Sequence, residues 1–307
     1  MEKLIGRLNF ILILLILLIL IVIISCNNNG TSKFRVDNDI EFDTIRTTKR
    51  HHIEGDSKNP YCDIRIEFVY PKNKKETDLK NIQQFFVKSM FGSPFAEMEP
   101  KQAIDAYISS YFYNYSKDAD TYRGTVTDMN DMNDLNTLIP GIDLHDSEHI
   151  MNDMFYSYFE SLSDSITFNQ YDIISFQVKQ SNSKGEPNSF YVSYSNYVLN
   201  LNTGVQILEG DIFIAGYDYA MQNMIITALI EQNDVETLED LEDIGYFGVR
   251  EIVPNKNFLI NDKGITYTFN KGEYSAYQLD APEVFLPYNV IRPLLRESTI
   301  ISKLANL

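Results

Sequence analysis

The chain has 307 residues, a net charge of −17, 20 Tyr and 19 Phe, and no Trp. That length holds one large domain or two small ones with a sizeable core. So acidic a surface repels nucleic acid and anionic lipid head groups, which excludes binding to either through bulk charge.

Lys3 and Arg7 precede a run from Phe10 to Ile24 that is almost wholly Ile, Leu and Val, and Ser25, Cys26 and three Asn follow. A positive start, an apolar stretch and a small residue describe a secretory signal peptide over residues 1–25. Ile23-Ile24-Ser25-Cys26 resembles the lipobox of bacterial lipoproteins, with Ile23 where Leu is commonest. The resemblance implies cleavage before Cys26, lipid on the Cys26 thiol, and residence in the cell envelope. The uninterrupted apolar run, Ile11–Ile24, is shorter than the ~20 residues a spanning helix needs, which weighs against an uncleaved anchor. Buried methylenes contribute about 0.8 kcal/mol each, so two or more acyl chains hold stably. In lipoproteins of Bacteroidota-type bacteria, acidic residues soon after the cysteine mark surface export. Residues 27–33 contain none, which implies an outer-membrane location facing the periplasm. Glu2, Lys3 and Arg7 together carry +1, so the chain from Cys26 onward carries about −18.

Residues 26–49 read as a tether that ends in an edge strand near Ile40–Arg46. His51 and His52 read as surface histidines, since two alone are a weak metal signal. The alternating run 61–70 reads as a strand ended by Pro71 and the turn Lys72–Lys75. With Cys26 acylated, Cys62 in that strand has no cysteine partner and reads as a small packed residue. Leu79, Ile82, Phe86 and Met90 recur at helical spacing in a helix from Thr77 or Asp78 to Phe91. A second helix is expected from Pro100 to Tyr115, its stripe of Tyr107, Ile108, Tyr111 and Phe112 facing a core.

Residues 124–143 contain a repeated Asp-apolar-Asn pattern from Asp128. Met129 and Met132 break an EF-hand match, so a loop or insertion is expected rather than a calcium site. A helix is expected from Asp146 to Leu162. At its start, His145-Asp146-Ser147-Glu148-His149 matches the inverted zinc-protease pattern. Two histidines four apart on a helix could hold Zn, with Glu148 as general base. Asp146 or Ser147 as N-cap, however, would put His145 before regular helix and spoil the shared face.

Strands follow at 166–168, 173–178 and 189–200, with a turn at Asn202-Thr203-Gly204. A helix is expected over Tyr217–Gln232, then a solvated acidic stretch, Glu236–Asp243. Phe258–Ile260 and Ile265–Phe269 flank Asn261-Asp262-Lys263-Gly264 as a hairpin. Glu283–Leu286 reads as a last strand and 287–295 as a short closing helix.

The hairpin, Glu273-Tyr274-Ser275-Ala276-Tyr277 and Pro282–Tyr288 resemble the bacterial envelope family called domain of unknown function 3298. Leu199–Leu208 is similar to the strand, turn and strand before its helix. Residues 50–160 resemble its usual N-terminal companion, family 4163. Where the family commonly carries a His-bearing loop, this chain reads Gly185-Glu186-Pro187-Asn188-Ser189-Phe190-Tyr191. Relatives include the lysozyme-sensing ectodomain of an anti-sigma factor and modules beside a polysaccharide deacetylase.

The fold expected is α+β, with helices on antiparallel sheets and two subdomains, 50–163 and 164–307. The resemblance implies a binding or sensing module for an envelope protein, a cationic lysozyme-like protein or a wall glycan, with no cofactor. A zinc hydrolase using His145, Glu148 and His149, and a purely structural envelope protein, are the alternatives.

Overall fold

The computed structural model describes residues 37–74, 79–132, 157–185, 190–276 and 279–306. Strand β1 (Ile40–His52) pairs antiparallel with β2 (Tyr61–Lys74). Helices α1 (Leu79–Phe91) and α2 (Pro100–Met132) come before β3 (Tyr158–Gln170), which lies parallel to β2. A parallel neighbour requires such a crossover. β4 (Ile173–Lys184), β5 (Tyr191–Asn200) and the two-residue β6 (Val205–Gln206) then meander antiparallel, giving one six-stranded sheet in sequence order.

The short helix α3 (Glu209–Ile212), α4 (Asp218–Gln232) and α5 (Leu238–Asp243) lead into a three-stranded sheet of β7 (Phe258–Ile260), β8 (Gly264–Thr268) and β9 (Glu283–Pro287). Helices α6 (Tyr288–Ile291) and α7 (Ile300–Leu304) close the chain. The α+β class expected from the sequence is observed. The elements from Ile40 to Leu304 belong to one compact unit. Position 163/164, where the sequence suggests a division, falls inside β3.

Alternation along the strands gives the large sheet two faces. One carries Ile64, Ile66 and Phe68 of β2 and Phe176 and Val178 of β4, and α1 and α2 cover it with Ile82, Phe86, Ala103 and Ile104. Phe86 stacks on Phe176 with ring centroids 4.2 Å apart. Each such side chain contributes roughly 1.5–3 kcal/mol by leaving water.

The second core lies between the small sheet, α4 and the β4–β5 end of the opposite face. A bulge in β3 makes this possible. Pairing steps from Ile166↔Phe176 to Phe168↔Ser175, so Thr167 is the extra residue and Phe168 enters the second core. Gly264 is required where β8 meets β9, because a Cβ there would lie 2.3 Å from the Leu286 carbonyl oxygen.

Asparagines sew the two sheets together. β5 pairs with β6 only at Leu199 and Asn200, which leaves the edge at Tyr194 and Asn196 without a strand. Asn270 accepts from the Tyr194 N–H at 2.7 Å and donates to its carbonyl at 3.1 Å. Asn257 accepts from the Asn196 N–H at 2.7 Å and donates to the carbonyls of Tyr194 and Thr268. Side-chain amides thus stand in for a neighbouring strand and close an edge that would otherwise invite pairing.

Several expectations need correction. β1 extends past Arg46 to His52, and β2 runs through Pro71 to Lys74. Pro71 is tolerated because the β2–β3 ladder has ended at Glu67, so no bond on that side needs its missing N–H. α2 continues to Met132, so residues 124–132 are helix rather than loop. Residues 158–162, read as the end of a helix, are strand: Ser161, Ser163 and Ser165 alternate with Leu162 at a period of two. The remainder of that expected helix, the rest of the 124–143 segment and the calcium pattern beyond Met132 lie outside the described residues.

Candidate functional site

The half of the large sheet opposite α1 and α2, and beyond the small sheet, is left uncovered among the described residues. Cross-strand partners point to the same side, so the registers define this face residue by residue. β1 presents Arg46, Thr48 and Arg50 opposite Glu67, Arg65 and Asp63 of β2. Asp63, Arg65 and Glu67 in turn lie beside Phe159, Ser161 and Ser163 of β3. Ser161 and Ser163 face Ser181 and Lys179 of β4, and Lys179 faces Tyr194 of β5.

Aromatic rings form a row across it. Tyr61 and Phe159 lie 5.7 Å apart edge to face, and Phe159 and Phe190 lie 6.5 Å apart. Phe190 is 46% exposed, unusual for a ring with no polar handle. The Arg50 guanidinium sits 4.0 Å over the Tyr61 ring, and the Lys179 ammonium 5.7 Å over Tyr194.

Charge on this face opposes that of the chain. Arg46, Arg50, Arg65 and Lys179 stand against Asp63 and Glu67, whereas the whole chain carries −17. Arg50 makes two bonds of 2.6 Å to the two oxygens of Asp63. Arg46 donates twice to a single Glu67 oxygen, at 3.0 and 2.6 Å, and holds that carboxyl below the usual range. A shallow cleft of about 200 Å³ lies among Arg46, Thr48, Arg65 and Glu67. Another concavity of about 390 Å³ is bounded by Val205, Ile207, Asp211, Thr299 and Ile300. It has one carboxylate and no cation, so it offers less to read a charged ligand.

Cys26, His145, Glu148 and His149 lie outside the described residues. Among the described residues, no group of three His, Cys, Asp or Glu could hold a metal ion, and no helix is long and apolar enough to cross a membrane.

Cys62 is fully buried, and burial pushes its thiol up to about 12. His51 is its cross-strand partner, a proximity the sequence does not reveal. The imidazole stacks on Phe112 at 5.1 Å and bonds the Ser116 hydroxyl at 3.1 Å, while burial favours the protonated thiol over the nucleophilic thiolate. His51 and His52, read as surface histidines, are half-buried in β1, and the His52 Nδ1 lies 3.1 Å from the Asn59 carbonyl.

The open face was missed from the sequence although a signal existed. Arg46-x-Thr48-x-Arg50, Asp63-x-Arg65-x-Glu67 and Ser161-x-Ser163-x-Ser165 each carry polar groups at a strand period. What the sequence could not supply was their adjacency, which depends on a parallel pairing between β2 and β3 some hundred residues apart.

An α+β domain with one half-open sheet is thus the class that the fold and site define. Residues 210–289 match the model of the family described as protein of unknown function, DUF3298. That segment contains the hairpin, the Glu273–Tyr277 stretch and Pro282–Tyr288, on which the sequence resemblance rests. A crystal structure of a DUF3298 family member from Bacteroides fragilis shares the fold, with a TM-score of 0.72 and 22% identity over 88% of this chain and 99% of that one. A DUF3298 family protein from Pseudomonas aeruginosa aligns with a TM-score of 0.50 and 11% identity, covering 84% of this chain and 96% of that one. No curated protein matches the chain.

Proposed function

We propose that the chain is a lipid-anchored envelope protein that acts as a binding module, and that the open half of its large sheet holds a component of the cell envelope. The observation that carries this reading is the composition of that half: four cations, two carboxylates and an aromatic row on a chain of net −17. Aromatic and Arg side chains are the types that concentrate binding energy, and a strand face with no covering layer among the described residues is where a ligand can reach them. The pattern ending in Ile23-Ile24-Ser25-Cys26 supports a lipid tail on Cys26. That tail would hold the acidic body at the outer membrane, facing the periplasm, without a basic patch for lipid.

The full chain, produced in a lipoprotein-processing bacterium and fed an alkyne fatty acid, should carry the label, and Cys26→Ala should lose it. Sedimentation with isolated envelope polymer should retain the wild type. Thr48→Trp places a bulky ring beside Arg65, away from both cores, and should abolish retention without lowering the melting temperature. Retention unchanged in Thr48→Trp would refute the open half as the binding surface.

A further inference from the structure

We infer that the ligand of the open half is an acidic glycan, a sugar polymer bearing carboxylates, with Arg65 and Arg46 reading the carboxylate and the rings of Tyr61, Phe159 and Phe190 stacking on the sugars. This rests on the proposal that the open half is the binding surface, and adds the chemical class of what binds there.

Charge complementarity comes first. A chain of −17 repels anions from most of its surface, yet here three arginines and a lysine outnumber two carboxylates. A cationic ligand would be drawn to the rest of the molecule instead. Geometry then favours a carboxylate over a diffuse negative surface. Arg65 lies across from Thr48, between Arg46 and Arg50 on the neighbouring strand. The guanidinium fork suits a planar carboxylate in two-point contact.

Arg46 is already engaged, but its partner is exchangeable. Its pair with Glu67 is exposed, 69% at the arginine, and both of its bonds reach one Glu67 oxygen. Exposed pairs of this kind contribute little to stability, so a ligand carboxylate in the adjoining cleft can replace Glu67 at almost no loss.

The aromatic row separates a glycan from other anions. The rings meet edge to face, at 87° and 72°, and form an apolar ledge against which the apolar C–H faces of sugars can rest. A phosphate or a lipid head group has no apolar face to use them.

The test uses the full chain in non-ionic detergent micelles with three probes: polygalacturonate, its methyl ester and glycerol phosphate. Polygalacturonate should bind saturably and weaken as salt is raised. The methyl ester, which keeps the sugar rings and removes the charge, should bind about tenfold more weakly or worse, and Arg65→Gln should cause a similar loss for the acid form. Glycerol phosphate at matched charge should not displace the polymer. Arg65 is exposed, so the variant should melt as the wild type does. Equal binding of acid and ester would overturn the acidic class while leaving a binding surface in place. Displacement by glycerol phosphate, or no binding of polygalacturonate, would overturn it as well. Failure of the broader reading shows separately, as envelope retention that survives Thr48→Trp.

Discussion

The two faces of the large sheet are built from the same strands and meet opposite fates. On the face under α1 and α2, positions such as Ile64, Ile66 and Phe176 are apolar and dry. On the other, the alternate positions are Arg, Thr, Ser and Asp, and among the described residues the face is covered only near the small sheet, which asparagines bind to β5. The difference teaches that covering a sheet takes more than proximity. Where the second layer sits, Ile260 of β7 and Thr268 of β8 accept from Ser175 of β4 and Asn196 of β5; where it does not, the side chains remain solvated and available.

The comparison can be broken first on the covered face. Phe176→Ala removes a fully buried ring stacked on Phe86 and should destabilise the fold by roughly 3–5 kcal/mol in urea unfolding. A loss below about 1 kcal/mol would mean that this core is not close-packed.

A smaller effect belongs to Asp164, which lies where β2 and β3 part. One of its oxygens accepts from the Val69 N–H at 2.7 Å, while the other is buried with no partner among the described residues. Burial raises its carboxyl to about 7 from an ordinary value of 3.8. The folded state therefore holds the proton more tightly than the unfolded one. The associated stability is fully present below the unfolded value and is lost as pH rises through the folded one. Stability should fall by roughly 2–3 kcal/mol between about pH 5 and 8 on this group's account. Asp164→Asn should flatten that dependence and raise the melting temperature at pH 8; an unchanged slope would contradict the burial.

The seam comes next. Asn257→Ala strips partners from the Asn196 N–H and from the carbonyls of Tyr194 and Thr268. It should cost about 2 kcal/mol, with faster hydrogen exchange at Asn196 than at residues of β2. The smallest effect is expected on the open half, where Arg46→Ala should change stability by less than about 1 kcal/mol.

How much of this was legible in the sequence follows from range. The C-terminal hairpin, the helix at 218–232 and the last strand are local patterns, and they stand within a residue or two of where the sequence puts them. Residues 158–162 misled because five residues fit a helix turn as well as a strand until Leu162 is seen against β2 and β4. The bulge at Thr167 and the asparagine seam were hidden for the same reason. Asn257 and Asn270 look like turn residues until β5 is placed beside them.

Hydroxyl-radical footprinting of the full chain with and without isolated envelope polymer tests the account most directly. Tyr61 and Phe190 should be protected when the polymer is present, while Tyr219, on α4 and 76% exposed, should oxidise as before. Protection at Tyr219 with none at Tyr61 and Phe190 would place the binding surface elsewhere and contradict the account.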